Sequence, residues 1–152
     1  ELFRQCVQNI ARVRADCSRY GMPLMIEPLV MLPNDVRGGY QVDGDAEKIV
    51  TLTRLATEMG ADIIKADPCD DVTQYHRVIE AAGCPVLPRG GGKTSDAEIF
   101  ARTVELMKQG AKGIVYGRNV VQHARPDAIT KALMAVVHDG VSADAAMEMM
   151  GA

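Results

Sequence analysis

Four short apolar runs, each followed by a turn-rich segment and then a helical pattern, constrain the fold of this 152-residue chain more than any other feature. The runs lie at 23–31, 61–66, 84–88 and 113–116, and the helical patterns after them at 46–59, 72–82, 96–109 and 126–138. Further helices are predicted at 2–20 and 143–150, the last with Ser142 as its N-cap. Strands that alternate with helices predict an α/β fold with an all-parallel sheet and right-handed crossovers.

Two architectures fit this pattern: a small doubly wound sheet and one half of an eight-stranded barrel. Polar residues cluster at the C-terminal end of each predicted strand, and glycine-rich loops follow the last two, where barrels frequently bind phosphate. A complete barrel needs about 250 residues, and this chain starts at Glu1, inside a helical pattern, rather than at Met. We therefore expect one partial domain over 1–152, the C-terminal half (strands 5–8) of a (β/α)8 TIM barrel whose N-terminal strands are absent.

Composition excludes several classes of protein. A net charge of -3 and a pI near 5.6 provide no basic surface for nucleic acid or for an anionic membrane, and no apolar run approaches the length of a membrane span. The four cysteines are scattered and predict reduced thiols in a cytoplasmic protein. His76, His123 and His138 lack the spacing of metal ligands, and we expect them to be structural or surface residues.

Lys65 lies near the C-terminal end of the second predicted strand. Period-2 alternation places it on the same face as Ile63, while Ile64 and Ala66 point to the other face. An amine enclosed by apolar strands loses hydration, and this favours the neutral, nucleophilic form that a Schiff base requires. The alternative is an ordinary lysine that extends from a strand end into water.

Glu27 lies in an otherwise apolar run and shares a face with Met25 and Leu29. A buried carboxylate is costly unless it is paired, and Lys65 is a suitable partner. Glu27 is therefore a candidate general acid and base, the alternative being an exposed carboxylate near the strand end. Asp67 and Asp70 are second-rank candidates.

The segment 90–94 reads Gly-Gly-Gly-Lys-Thr between a strand and a helix, which favours an anion at backbone N–H groups. It is not a nucleotide P-loop, because Leu87 stands where that motif needs its first glycine. Gly117 and Arg118 form a second element of this kind, and together the two predict a phosphate cup; a merely structural glycine turn is the alternative. Arg89 is either a contact for a second anionic group or a solvated strand-end residue.

The motifs at 61–65, 84–87, 90–94 and 113–122 together resemble the last strands of the class I, Schiff-base aldolases of the DeoC, FbaB and LacD type. That family includes fructose-bisphosphate, tagatose-bisphosphate and sulfofructose-phosphate aldolases. The resemblance implies a barrel whose sixth strand carries Lys65 as the Schiff-base residue and whose fifth strand carries Glu27. It also implies a phosphate held by Gly90, Gly91, Gly117 and Arg118.

The resemblance predicts a metal-independent and cofactor-independent carbon-carbon lyase that cleaves or forms a bond in a ketose phosphate. The expected partner is a small-molecule sugar phosphate, with no nucleic acid or membrane, in a homo-oligomer. We expect this chain alone to be inactive. Two alternatives remain open, a phosphosugar-binding barrel without chemistry and an inert partial barrel.

Overall fold

The computed structural model describes residues 1–36 and 38–151, which form alternating helices and strands. The helices are α1 (Leu2–Tyr20), α2 (Ala46–Glu58), α3 (Tyr75–Ala82), α4 (Asp96–Lys108), α5 (Arg118–Val121), α6 (Pro126–Met134) and α7 (Ala143–Gly151). The strands are β1 (Met25–Ile26), β2 (Met31–Pro33), β3 (Tyr40–Val42), β4 (Ile63–Ala66) and β5 (Val86–Pro88). A 3-10 turn at Val72–Gln74 precedes α3, and a π-helical turn at Ala135–Asp139 continues α6.

The central sheet is parallel, as predicted, in the order β1-β4-β5. Met25 pairs with Ile63 in the first ladder, and Lys65 pairs with Leu87 in the second. Because the strands are parallel, their C-terminal ends meet at one edge of the sheet. The side chains that follow each strand therefore meet there too.

Two of the predicted strands differ most from the structure. The run at 23–31 joins the central sheet only at Met25–Ile26, since Pro28 has no N–H for a ladder, and its last residue, Met31, begins β2. The run at 113–116 is not a regular strand and makes one isolated parallel bridge, between Arg89 and Val115. Pro88 in β5 has no N–H to offer this segment, so the ladder does not extend.

The turn-rich segment between the first apolar run and the helix that follows it, 32–45, contains most of an antiparallel hairpin. Strands β2 and β3 pair from Met31 with Val42 to Pro33 with Tyr40. Arg37 lies outside the described residues.

The helix boundaries agree closely with the predicted ones. Gly21 and Gly83 end α1 and α3 in the left-handed conformation, with φ of 64° and 60°. Ser142 Oγ accepts a hydrogen bond from the N–H of Ala145, which confirms the predicted N-cap of α7. The short helix α5 was not predicted. No helix in the described ranges is long and apolar enough to cross a membrane.

The core lies on the helical side of the sheet. One cluster packs Ile64 and Ala66 of β4 against residues such as Tyr75 and Val78, and a second cluster joins α4, α6 and α7. The opposite face of the sheet, which carries Lys65, is open. Met25 on β1 is 43% exposed, so this apolar strand is not buried on both faces.

Candidate active site

Lys65 and Glu27 form an ion pair on the open face of the sheet. The pairing of Met25 with Ile63, continued by two residues, places Glu27 opposite Lys65. Lys65 Nζ donates a hydrogen bond of 3.1 Å to Glu27 Oε2. The Lys65 side chain is 23% exposed, so its expected enclosure is incomplete in the described part of the chain. Sequence alternation predicted which face the lysine occupies, and the pairing with Glu27 that the sequence suggested is present.

A second ion pair lies one layer nearer the C-terminal ends of the strands. The pairing of Lys65 with Leu87, continued by two residues, places Asp67 opposite Arg89. Arg89 Nη1 lies 3.0 Å from Asp67 Oδ1, and Arg89 Nε lies 3.2 Å from Glu27 Oε1. Lys65, Glu27, Arg89 and Asp67 thus form a continuous row, here called the charged row.

Asp67 is the buried end of the charged row, with 1% of its surface exposed. Burial raises the pKa of its carboxyl group, because loss of water disfavours the charged form, and the nearby Arg89 partly opposes that rise. The solvated alternative for Arg89 does not fit its two ion pairs. Asp70 is exposed and remains outside the row, and its backbone N–H donates to the carbonyl of Gly44 at 3.0 Å.

Side chains hold the carbonyl groups of the glycine segment 90–92. The Gly90 carbonyl accepts from Arg102 Nη2 at 2.6 Å and from Asn119 Nδ2 at 3.1 Å. The Gly92 carbonyl also accepts from Asn119 Nδ2, at 3.1 Å, and the Gly91 carbonyl accepts from Arg118 Nη2 at 2.8 Å. These bonds fix the loop against the start of α5.

The N–H groups of the same loop are left without acceptors. Within the described ranges, those of Gly91, Gly92 and Lys93 donate to no protein atom, and neither do those of Gly117 and Arg118. Gly91 has a φ of 65°, a conformation that favours glycine. Free N–H groups from two adjacent elements, with a guanidinium beside them, can bind an anion. The loop and Asp67 also line a cleft of about 660 Å³.

Asn119 is the organising residue that the sequence analysis missed. It is buried, and besides its two donated bonds its Oδ1 accepts the N–H of Thr94 at 3.0 Å. These contacts bridge 25 to 29 residues of chain, so no local pattern identifies them. A buried amide that satisfies three backbone groups orders the loop, because leaving any of them unpaired is costly.

A capping box at the start of α4 supports the other end of the loop. Ser95 Oγ accepts from the N–H of Glu98, whose carboxylate in turn accepts from the N–H of Ser95 at 3.1 Å and from Thr94 Oγ1. The hydrogen bond from Thr94 and those from Ser95 lower the pKa of Glu98 from its usual 4.5 to about 2. The spacing of Ser95 and Glu98 is itself a signature of this motif, which the sequence analysis did not use.

The capping box predicts a specific pH dependence of stability. The pKa of Glu98 is lower in the folded chain, so its contribution is present above about pH 4.5 and is lost as the pH falls towards 2. We expect Glu98→Gln to lower the urea midpoint at pH 7 and to flatten the fall in midpoint between pH 4.5 and 2. The control, Glu80→Gln at an exposed position of α3, should leave the plot of urea midpoint against pH unchanged. Parallel curves for Glu98→Gln and wild type would contradict this account.

Two of the histidines contact polar groups of the protein. His76 Nδ1 lies 2.9 Å from the carbonyl of Thr73, and His123 Nε2 lies 3.1 Å from Asp96 Oδ1. His138 lies in the π-helical turn. Among residues 1–36 and 38–151, no group of three or more His, Cys, Asp or Glu side chains could hold a metal ion.

Comparison with known proteins places this geometry in a family. A sequence model described as DeoC/LacD family aldolase matches residues 1–123. The chain is 36% identical to 2-amino-3,7-dideoxy-D-threo-hept-6-ulosonate synthase from Halobacterium salinarum, over 95% of this chain and 52% of that protein. It is 34% identical to 3-hydroxy-5-phosphonooxypentane-2,4-dione thiolase from Photorhabdus laumondii, over 98% of this chain and 48% of that protein.

A solved structure gives the same relationship in three dimensions. It is that of a Schiff-base-forming fructose-1,6-bisphosphate aldolase, which superposes with a TM-score of 0.78 at 29% identity, over 88% of this chain and 52% of that one. Its fold is a TIM barrel. The chain therefore spans about half the length of the relatives that it matches.

Proposed function

The chain belongs to the DeoC/LacD family of aldolases, and from that premise we propose that it carries the Schiff-base site of a class I aldolase acting on a ketose phosphate. The observation that carries the proposal is the position of Lys65. Its amine lies on the open face of a parallel sheet, 3.1 Å from the carboxylate of Glu27. Nucleophile and proton-transfer group are therefore within hydrogen-bonding distance, as covalent catalysis by an amine requires.

The reaction divides into steps that these two residues can perform. Lys65 transfers its ammonium proton to Glu27, and the neutral amine adds to the ketose carbonyl carbon. Glu27 then donates that proton to the hydroxyl group of the carbinolamine, which leaves as water. A base then removes a proton from the hydroxyl group that becomes the aldehyde oxygen. The carbon-carbon bond breaks, its electron pair moves into the iminium, and an enamine forms. Protonation of the enamine carbon and hydrolysis release the second product and restore Lys65. The iminium is the electron sink, so the proposal includes no metal or cofactor.

The phosphate of the substrate is assigned to the cup formed by Gly90, Gly91, Gly117 and Arg118. Free N–H groups in both elements and the exposed Arg118 guanidinium support this assignment. A Cβ at Gly90 would lie 3.1 Å from the Tyr116 ring, so a larger residue there would press on that ring.

Replacing Arg118 tests the cup. We expect Arg118→Gln to raise KM for a ketose monophosphate about 10-fold or more, because it removes one charge-assisted hydrogen bond of roughly 1.5–3 kcal/mol. Turnover at saturation should change little, and reaction with the dephosphorylated ketose should not change. Lys131→Gln, at an exposed position of α6, is the matched control. An equal loss of activity with both substrates would show that Arg118 does not bind the phosphate of the substrate.

We further propose that the chain forms strands 5–8 of a (β/α)8 barrel and that the first four strands complete the site. The chain spans about half of each relative above, and the sheet face that carries Lys65 is open. The chain alone should then be inactive, and the complete protein is proposed as a cytoplasmic homo-oligomer. Kinetic experiments therefore belong on the longest natural polypeptide that contains this chain, called the full protein below.

A phosphosugar-binding protein without chemistry is the second candidate. The observation in its favour is that the charge of Lys65 is already balanced by an ion pair with Glu27, as that of a structural lysine would be. The two candidates differ in one property, since only the aldolase forms a covalent adduct at Lys65. Acyl transfer, as in the thiolase relative, is a variant of the first candidate.

A further inference from the structure

Glu27 is shared between two cations of different character. Its Oε2 faces Lys65 Nζ at 3.1 Å, and its Oε1 faces Arg89 Nε at 3.2 Å. In the proposed reaction, which this inference takes as its basis, Lys65 gives up its proton and becomes covalently bound. Arg89 stays protonated throughout, because a guanidinium does not lose its proton in proteins. The carboxylate therefore has one variable counter-ion and one permanent one.

Arg89 is itself anchored in the interior. Its Nη1 lies 3.0 Å from Oδ1 of the buried Asp67 and donates to Oδ2 at 3.2 Å. Its Nε lies 3.2 Å from Glu27 Oε1, so the guanidinium pairs with two carboxylates at once. The Arg89 side chain is only 20% exposed. It acts as a rigid link from a buried anchor to Glu27.

The charge balance of the row depends on this link. Two cations face two carboxylates when every group is ionised. Without Arg89, the carboxylates of Glu27 and Asp67 would together face the amine of Lys65. Arg89 thus balances one of the two carboxylates and keeps Glu27 paired when Lys65 is covalently bound to the substrate.

The same geometry disfavours Arg89 as a contact for a second anionic group of the substrate. An anion that reached this guanidinium would also approach Glu27 and Asp67, whose charges repel it. We propose that Arg89 is a positioning residue for the pair Lys65 and Glu27: anchored on Asp67, it holds Glu27 beside the Lys65 amine while that amine is neutral.

Kinetics of Arg89→Gln and Arg89→Lys in the full protein test the inference. We expect Arg89→Gln to lower both kcat and the rate of borohydride-trapped adduct formation about 100-fold, the loss that displacement of a catalytic group by about 1 Å produces. KM should stay within about 3-fold. Arg89→Lys keeps the charge but not the fork, so it should recover part of the loss. Arg54→Gln, which breaks a surface ion pair with Glu58, is the matched control and should match wild type.

A folding defect is separable from the kinetic effect. Arg89→Gln leaves the buried Asp67 carboxylate without its cation, which is costly. The double variant Arg89→Gln/Asp67→Asn removes that stranded charge, so it should fold and still show the kinetic loss.

Each other outcome overturns the inference. A rise in KM with unchanged kcat would make Arg89 a substrate contact. Unchanged kcat and unchanged trapping in a folded variant would make it a purely structural residue, while the proposed function would stand. If wild type forms no adduct at Lys65, the proposed function fails, and the inference that depends on it fails with it.

Discussion

Replacing Lys65 with arginine in the full protein is expected to lower kcat for a ketose phosphate by about 10,000-fold or more, as loss of a catalytic nucleophile does in other enzymes. A guanidinium stays protonated and forms no Schiff base. It keeps a positive charge opposite Glu27, so the loss reports on covalent chemistry rather than on the ion pair of 3.1 Å. Steady-state turnover measures the effect.

Lys108→Arg is the matched control for this substitution. Lys108 lies on α4 with its side chain 68% exposed, outside the charged row, and its variant should keep turnover within about 2-fold of wild type. If Lys65→Arg kept a tenth or more of wild-type kcat, Lys65 would not be the nucleophile. The Schiff-base assignment would then fail, and the assignment of the phosphate cup would remain.

Replacing Glu27 with glutamine is expected to lower kcat by about 100-fold to 10,000-fold, the usual contribution of a positioned acid and base. The amide keeps the shape of the side chain but cannot exchange a proton with the carbinolamine. Adduct formation at Lys65 should therefore slow without being abolished, and single-turnover trapping measures this rate.

The control for Glu27 is Glu58→Gln, which breaks an exposed ion pair with Arg54 and should leave turnover unchanged. A cavity variant, Glu27→Ala, adds a second readout, because formate can enter the space and restore part of the rate. If the kcat of Glu27→Gln stayed within about 3-fold of wild type, another residue would have to carry out the proton transfer.

Sequence reasoning was most successful where the alternation of side chains along a strand decides which face a residue occupies. Alternation along 63–66 separates the buried Ile64 from Lys65, and parallel pairing then places Glu27 opposite the lysine. The same parity argument extends to Asp67 and Arg89 through the ladder between β4 and β5. For Arg89 the sequence left two interpretations equal, because the pairing partner of a strand end is known only when the register is known.

Sequence reasoning failed where tertiary contacts decide. Asn119 organises the glycine loop through hydrogen bonds to residues at least 25 positions away, which no local motif reveals. The run at 113–116 has the composition of a strand, yet Pro88 on its neighbour lacks the N–H that would extend the ladder. The hairpin in 31–42 forms without a tight two-residue turn signal, so it was predicted as a loop.

The most direct test of the account is borohydride trapping of the full protein with dihydroxyacetone phosphate, followed by intact and peptide mass spectrometry. The account predicts one reduced adduct, on the peptide that contains Lys65. It should be absent without the ketose phosphate and absent in Lys65→Arg. The 152-residue chain treated in parallel should give no adduct, because the first four strands are proposed to complete the site. An adduct on another lysine, or no adduct with any ketose phosphate that the protein still binds, would contradict the Schiff-base site proposed here.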